Sequence, residues 1–135
     1  MGCVFCKIIS GEIKSKFLKE TEHSVSFLDA FPLASGHALV IPKNHHQKIQ
    51  DMSIQENTDL FSLVHEMVFN VDKITGSTLI AVHNGKDAGQ EIPHVHVHLV
   101  PRSDNDSAGP IHSMFDSSVN LSESEMDELY DKLKI

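Results

Sequence analysis

Three histidines stand at every second position of the stretch IPHVHVHLVP, which covers residues 92–101. Valine separates His94, His96 and His98, and leucine follows the last of them. Alternate side chains of a β-strand face opposite sides, so the pattern predicts that the apolar residues face a core. The three imidazoles would then share the other face, roughly 6.5–7 Å apart.

Three interpretations of this histidine row are open. In the first, it is a histidine-rich surface strand with no chemical role. In the second, the imidazoles hold an open, catalytic zinc centre, which typically has three protein ligands. In the third, one imidazole attacks an electrophile while its neighbours orient it and handle protons. The attacking nitrogen must be neutral, and a backbone carbonyl that binds the other ring nitrogen could enforce this.

A second candidate site is the C-x-x-C pair of Cys3 and Cys6. In an intracellular chain this spacing favours a metal or redox site over a structural disulfide. The βαβ pattern in which a thioredoxin-like redox pair opens a helix is missing from the sequence. A structural zinc site is tetrahedral and closed, so the cysteines would need two further ligands.

Composition limits the class of protein. With 135 residues, of which 40% are hydrophobic, the chain can form one domain with a buried core. Eleven basic and nineteen acidic residues, a formal charge of −8, argue against a polynucleotide partner but not against a single nucleotide. Neither an apolar run of about 18 residues nor a signal peptide is visible, so we expect a cytoplasmic protein without a membrane partner.

The apolar pattern predicts the strands that position these residues. We expect strands over residues 17–21, 25–29, 36–42, 78–83 and 94–101. A glycine-containing loop, NGKDAGQEIP, separates the last two. The polar stretch 103–120 contains Gly109 and Pro110 and predicts an irregular surface arm.

Two capping boxes predict helices. Ser53 with Glu56 begins a long helix that ends at Gly76, and Ser122 with Glu125 begins a short one that runs to about residue 134. The long helix carries an apolar stripe at helical spacing: Leu60, Val64, Met67, Val71 and Ile74. The elements together predict a single α+β domain over residues 1–135, with an antiparallel sheet of about five strands, one long helix and short terminal helices.

The histidine row and its flanks, GQEIPHVHVHLVPR, resemble the signature of the histidine triad (HIT) family. The segments CVFCKIISGEI and FLDAFPLASGHALVIPKNH resemble the family's N-terminal and central regions. The resemblance covers roughly residues 3–102 and is similar to the short prokaryotic branch, with features of its Hint-like and Fhit-like groups. It implies an α+β homodimer whose core is residues 3–102, with 103–135 as a C-terminal arm and helix.

The resemblance implies that His96 attacks the α-phosphate of a nucleotide and forms a nucleotidyl-histidine intermediate, from which water releases a nucleoside monophosphate. His98 would bind the phosphate, His37 would orient the triad, and His94 completes the catalytic set. Stabilisation of the charge that develops on the phosphoryl oxygens is the largest catalytic effect to expect.

Asp29 stands where the family binds ribose, and a carboxylate can accept both ribose hydroxyls. The resemblance also implies an apolar slot for the base and contacts near the phosphate, from Phe5, Ile8, Ile13, Phe27, His83, Asn84 and Gln90. Two positions depart from the family: His83 replaces the usual Asn or Gln, and Glu91 replaces the frequent Ser or Thr. A carboxylate beside a phosphate is repulsive, so we expect Glu91 to point away or to handle the proton of the leaving group.

The resemblance also completes the cysteine site. Short prokaryotic members pair the C-x-x-C with a histidine after the PK motif and with the first triad histidine. Here these are His45 and His94, with His46 as the alternative to His45. The implied cofactor is a structural Zn²⁺ held by Cys3, Cys6, His45 and His94, while the chemistry stays on His96.

The expected function is hydrolysis or transfer at the α-phosphorus of a purine nucleotide. Nucleoside phosphoramidates such as adenosine 5′-phosphoramidate are the first candidate substrates and dinucleoside polyphosphates the second. One competing hypothesis is a zinc hydrolase whose metal is held by the three triad histidines. The other is a module that binds AMP or GMP without turnover.

Overall fold

The computed structural model describes residues 2–135, which form two compact units, residues up to 104 and residues 105–135. The first unit contains helix α1 (Val4–Ile9), strands β1 (Phe17–Glu20), β2 (Ser24–Leu28) and β3 (Ala38–Pro42), helix α2 (Ile54–Thr75), and strands β4 (Thr78–Val82) and β5 (Val97–Pro101). Short 3₁₀ turns lie at Ile49–Asp51 and Lys86–Ala88. The predicted α+β class, five strands and long helix are confirmed.

The sheet is antiparallel throughout and has the order β1-β2-β3-β5-β4. One face packs on α2, where Val97 and Leu99 of β5 contact a helix stripe that includes Leu60, Leu63, Val64, Met67 and Val71. Ile74 was predicted to belong to this stripe, but it is 51% exposed because it lies in the last turn of the helix. The other face carries a second apolar cluster beneath α1, formed by Phe5, Ile8, Val25, Phe27, Leu39 and Ile41.

The strand that carries the histidine row is shorter than predicted. The ladder begins at Val97, so His94 and His96 precede β5 instead of lying within it. The backbone turns there because the amide of His94 donates to the carbonyl of Ile92 and the amide of Val95 donates to that of His46. The alternation nevertheless survives, because Val95 is buried in the same core as Val97.

Both capping boxes form as predicted, Ser53 with Glu56 on α2 and Ser122 with Glu125 on α3 (Glu123–Leu133). The second unit contains α3 and a 3₁₀ turn at Ile111–Met114, and its side chains are exposed throughout. Within residues 2–135, no helix is long and apolar enough to cross a membrane.

Candidate active site

A cavity of about 540 Å³ lies on the sheet face beneath α1. His96 and His98 line it, together with His37, which immediately precedes β3. Six predicted nucleotide-binding residues line the same cavity: Phe5, Ile8, Ile13, Phe27, Asp29 and His83. Glu91, which departs from the family pattern as His83 does, also reaches it.

The protonation of His96 follows from its backbone contact. Its Nδ1 lies 2.7 Å from the carbonyl oxygen of His94, and a carbonyl only accepts hydrogen bonds. Nδ1 therefore carries the proton, and Nε2 keeps a free electron pair. Burial lowers the pKa of His96, which favours this neutral form. The ring packs edge-on against Phe5 with centroids 5.0 Å apart, which fixes its orientation.

A second chain of contacts fixes the proton of His98. The amide of Leu33 donates to Nδ1 of His37 at 3.0 Å, so the ring proton of His37 must reside on Nε2. That Nε2 lies 3.1 Å from Nδ1 of His98 and donates to it. His98 is left with its proton on Nε2. Burial, followed by the charges of His96 and His37, lowers the pKa of His98 to about 4, so the ring is neutral near pH 7.

Asp29 lines the cavity beside His37 and His98. Its Oδ1 accepts the amide of Phe31 at 2.8 Å, which is a turn contact, and its Oδ2 lies 3.5 Å from Nε2 of His37. Burial lowers the pKa of His37, and the charge of Asp29 opposes that shift.

The cysteine pair meets two histidines at a separate site. Sγ of Cys3 lies 3.4 Å from Nδ1 of His94, and Sγ of Cys6 lies 3.5 Å from Nδ1 of His45 and 3.7 Å from Nδ1 of His94. All four donor atoms lie within 4.8 Å of one another. Zinc–sulfur bonds of ~2.3 Å and zinc–nitrogen bonds of ~2.0 Å at a tetrahedral angle give a sulfur–nitrogen separation of roughly 3.5 Å, so the spacing fits this metal.

His94 belongs to this second site by its orientation. Its Nε2 lies 2.8 Å from the carbonyl oxygen of Pro42 and donates to it, which leaves the electron pair on Nδ1 for the cysteine side. Its side chain is fully buried and does not line the cavity, so His94 contributes its carbonyl to His96 and not its ring. His46, the alternative ligand, instead donates from Nε2 to Glu56 at 3.0 Å.

Among residues 2–135, two groups of side chains have the spacing of a metal site, and neither contains the full triad. One is the cysteine site, and the other is formed by Asp29, His37 and His98. The three triad imidazoles therefore do not converge on one point, which disfavours the hypothesis of a zinc centre held by all three.

The HIT domain model matches residues 10–105, which include the histidine row and most of the residues that line the cavity. The chain belongs to the HIT family. An adenosine 5′-monophosphoramidase of Saccharomyces cerevisiae is 44% identical to it over 106 residues, which are 78% of this chain and 66% of that protein.

Two solved structures of HIT proteins resemble this one. A histidine triad nucleotide-binding protein from Candida albicans has a TM-score of 0.83 and 33% identity, with 98% of this chain and 95% of that chain covered. A zinc-bound histidine triad family protein from Mycobacterium smegmatis has a TM-score of 0.69 and 33% identity, with 79% of each chain covered.

Two residues of the predicted HIT nucleotide site lie outside the cavity lining. Asn84 accepts the amide of Ile49 at 2.8 Å and donates to Gln50 at 2.9 Å. Gln90 is buried and donates to the carbonyl of Gln47 at 2.7 Å. Both side chains thus tie the loops around the site to the turn that precedes α2, and their predicted nucleotide contacts stay predictions.

Sequence reasoning missed the group that sets the tautomer of this site. The amide of Leu33 fixes the proton of His37 and, through it, the proton of His98. Its nearness to His37 depends on the turn between β2 and β3, for which Pro32 was the available signal. A backbone donor leaves no signature in the sequence, so the pattern of residue types could not identify it.

Proposed function

We propose that this HIT protein hydrolyses a bond at the α-phosphorus of a purine nucleotide through a nucleotidyl-histidine intermediate on His96. The observation that carries the proposal is the 2.7 Å contact between Nδ1 of His96 and the carbonyl of His94. It leaves a neutral, unprotonated Nε2 in a cavity of nucleotide size. A neutral imidazole nitrogen is the form of histidine that attacks an electrophile.

The cavity has the chemistry that a nucleoside needs. Phe5 and Phe27, with ring centroids 5.9 Å apart, and the aliphatic side chains of Ile8 and Ile13 form an apolar slot for a base. Asp29, which lines the same cavity, would accept hydrogen bonds from the ribose hydroxyls. The nucleoside would thus enter between α1 and the sheet, with its phosphate directed to the histidines.

The histidines divide the chemistry between them. Nε2 of His96 forms a bond to phosphorus as the bond to the leaving group breaks. Nε2–H of His98, held in place by His37, donates to a phosphoryl oxygen as negative charge develops there. Water then attacks phosphorus, the bond to His96 breaks, and the nucleoside monophosphate leaves.

Adenosine 5′-phosphoramidates are the first substrates of this proposal, and dinucleoside polyphosphates are the second. The preference is supported by the 44% identity to the yeast adenosine 5′-monophosphoramidase. A polyphosphate would bring several negative charges to a cavity whose lining includes the carboxylates of Asp29 and Glu91. Like charges at short range are destabilising, so an amine leaving group suits this lining better.

We also propose that Cys3, Cys6, His45 and His94 hold a structural zinc ion. The sulfur and nitrogen spacings fit tetrahedral coordination, and a zinc-bound relative has the same fold. Bound there, zinc would supply a cross-link and no chemistry. The four ligands would fix α1, which covers the base slot, against the segment that carries His96. A homodimer and a cytoplasmic location stay predictions.

The decisive experiment combines trapping with metal analysis. A reaction with adenosine 5′-[³²P]phosphoramidate is quenched in denaturant, and labelled nucleotide is expected on the wild-type chain but not on His96→Ala. The His96→Ala variant should keep about one zinc per chain, whereas Cys3→Ser should lose it. Loss of zinc from His96→Ala would favour a metal held by the triad. Wild-type protein that binds AMP but turns over no substrate would support the binding module.

A further inference from the structure

His83 occupies the histidine face of the sheet although it lies outside the triad. Ala81 of β4 pairs with His98 of β5, and Val82 pairs with Val97. His83 comes two residues after Ala81, so its side chain is on the same face as that of His98. The two rings are in edge-to-face contact, with centroids 5.5 Å apart. The cavity therefore holds a fourth imidazole on its β4 side.

The ring nitrogens of His83 differ from those of the neighbouring histidines in their hydrogen bonding. Within the described chain, neither of its nitrogens has a hydrogen-bond partner, while Nδ1 of His37, His96 and His98 is engaged in each case. A Cβ at Gly89 would lie 3.2 Å from Cδ2 of His83, and the φ of Gly89 is +99°. Glycine at this position thus lets the loop pass close to the ring without displacing it.

His83 lines the cavity together with His96, the proposed nucleophile. The other titratable side chains of this lining are Lys14, Asp29, His37, Glu91 and His98, and the ring of His98 contacts that of His83.

The hydrogen bonds of the triad contain no internal source of a proton for a leaving group. Nε2 of His96 is the nucleophile. His98 can donate a hydrogen bond, but to give its proton away it would have to take one from His37. That ring would in turn depend on the amide of Leu33, which does not release its proton. The chain of contacts that orients His98 therefore ends in a group that cannot replace the proton.

Strand order sets the direction of the substrate. Asp29 follows β2 and His83 follows β4, and the order β2-β3-β5-β4 puts these strands three steps apart, roughly 14 Å. A nucleotide with its ribose at Asp29 and its phosphorus near His96 directs its remaining substituent toward the β4 side. That substituent is the leaving group, and His83 stands on that side.

We propose that His83 is a catalytic residue that gives the proton to the departing nitrogen of a nucleoside phosphoramidate; this inference rests on the proposed function. Nε2 of His96 bonds to phosphorus, the P–N bond breaks with its electron pair going to nitrogen, and protonated His83 supplies the proton, so a neutral amine leaves. In the second step water bonds to phosphorus, the electron pair of the P–His96 bond returns to Nε2, and His83 takes a proton from the water.

The test compares two leaving groups in the His83→Asn variant. An adenosine 5′-N-benzylphosphoramidate needs a proton to leave, whereas the 4-nitrophenyl ester of AMP releases 4-nitrophenolate without one. General acid catalysis contributes about 100-fold or more, so kcat/KM for the amide should fall by at least that factor while the value for the ester changes less than about threefold. His65→Asn, an exposed change on α2, is the matched control and should leave both values unchanged.

A second variant guards against a merely structural effect. Added imidazole should restore amide cleavage by His83→Ala and leave ester cleavage unaffected. Equal losses on both substrates, or an undiminished amide rate in His83→Asn, would overturn the role of His83 while the proposed function stands. Failure of the wild-type protein to cleave either substrate would overturn the proposed function, and this inference with it.

Discussion

Replacement of Glu56 by glutamine should destabilise the protein strongly, although the change is isosteric. Glu56 is only 7% exposed, and its carboxylate accepts from the amide of Ser53 at 2.9 Å, from Asn44 at 3.1 Å and from His46 at 3.0 Å. A glutamine cannot accept all three bonds, because one of its two terminal atoms is a donor. The loss should therefore exceed that of an ordinary helix cap.

The size of the effect follows from the carboxylate pKa. Hydrogen bonds, led by that from the amide of Ser53, lower the pKa of Glu56 from 4.5 to about 2 against the opposing effect of burial. A difference of this size corresponds to about 3 kcal/mol of stabilisation of the ionised form in the folded protein. Because the folded-state pKa is depressed, this stabilisation is fully present above about pH 4.5 and is lost as the pH falls toward 2.

Urea unfolding followed by circular dichroism at several pH values measures this prediction. Glu56→Gln should unfold with about 3 kcal/mol less free energy at pH 7, and the difference from wild type should shrink on acidification below pH 4.5. Glu125→Gln is the matched control, since Glu125 forms the same capping box with Ser122 but is exposed. It should change stability far less. A loss below about 1 kcal/mol for Glu56→Gln, or one that does not depend on pH, would refute the reasoning.

Three further predictions concern the cavity and its supports. Gly36→Ala should cost about 1–3 kcal/mol of stability in urea unfolding, because Gly36 has φ +97° and a Cβ there would meet Ile74; a loss under about 0.5 kcal/mol would contradict this. Asp29→Ala should lower kcat/KM for a ribonucleotide substrate by about 10- to 100-fold but spare the 2′,3′-dideoxy analogue, and equal losses would argue against a ribose contact. The ring of His98 should stay neutral down to about pH 4 in an NMR titration, and protonation near 6.5 would contradict its burial.

Local signals in the sequence were sufficient to predict α2 and α3. Each capping box joins residues three apart, and the serine and glutamate of each box interact in the structure as predicted. The alternation of valine and histidine likewise predicted which residues enter the core, because burial of Val95 and Val97 depends only on side-chain type and strand period. Of the predicted helix stripe, Ile74 alone is exposed, in the last turn of the helix.

The site required information that residue types do not carry. β5 begins at Val97 and not at the predicted His94, because the amide of Val95 donates to the carbonyl of His46. These two segments are distant in the sequence, so the pattern of residue types could not reveal the contact. The positions of the protons on the histidine rings depend on main-chain carbonyl and amide groups. One of these is the carbonyl of Pro42, which accepts from Nε2 of His94 although it lies 52 residues earlier in the chain. Asn84 belongs to the predicted nucleotide site, and the residue types gave no sign that its side chain also accepts the amide of Ile49.

Main-chain groups at Leu33, Pro42 and His94 hold the tautomers of the functional histidines. Such groups persist through nearly every amino-acid replacement, so evolutionary drift at these positions leaves the acid–base state of the triad intact. In the proposed mechanism, by contrast, the departing group would be surrounded by side chains, His83 and Glu91 among them. Replacement of these side chains, in evolution or by design, could thus alter which bond is cleaved while the tautomer of His96 stays the same.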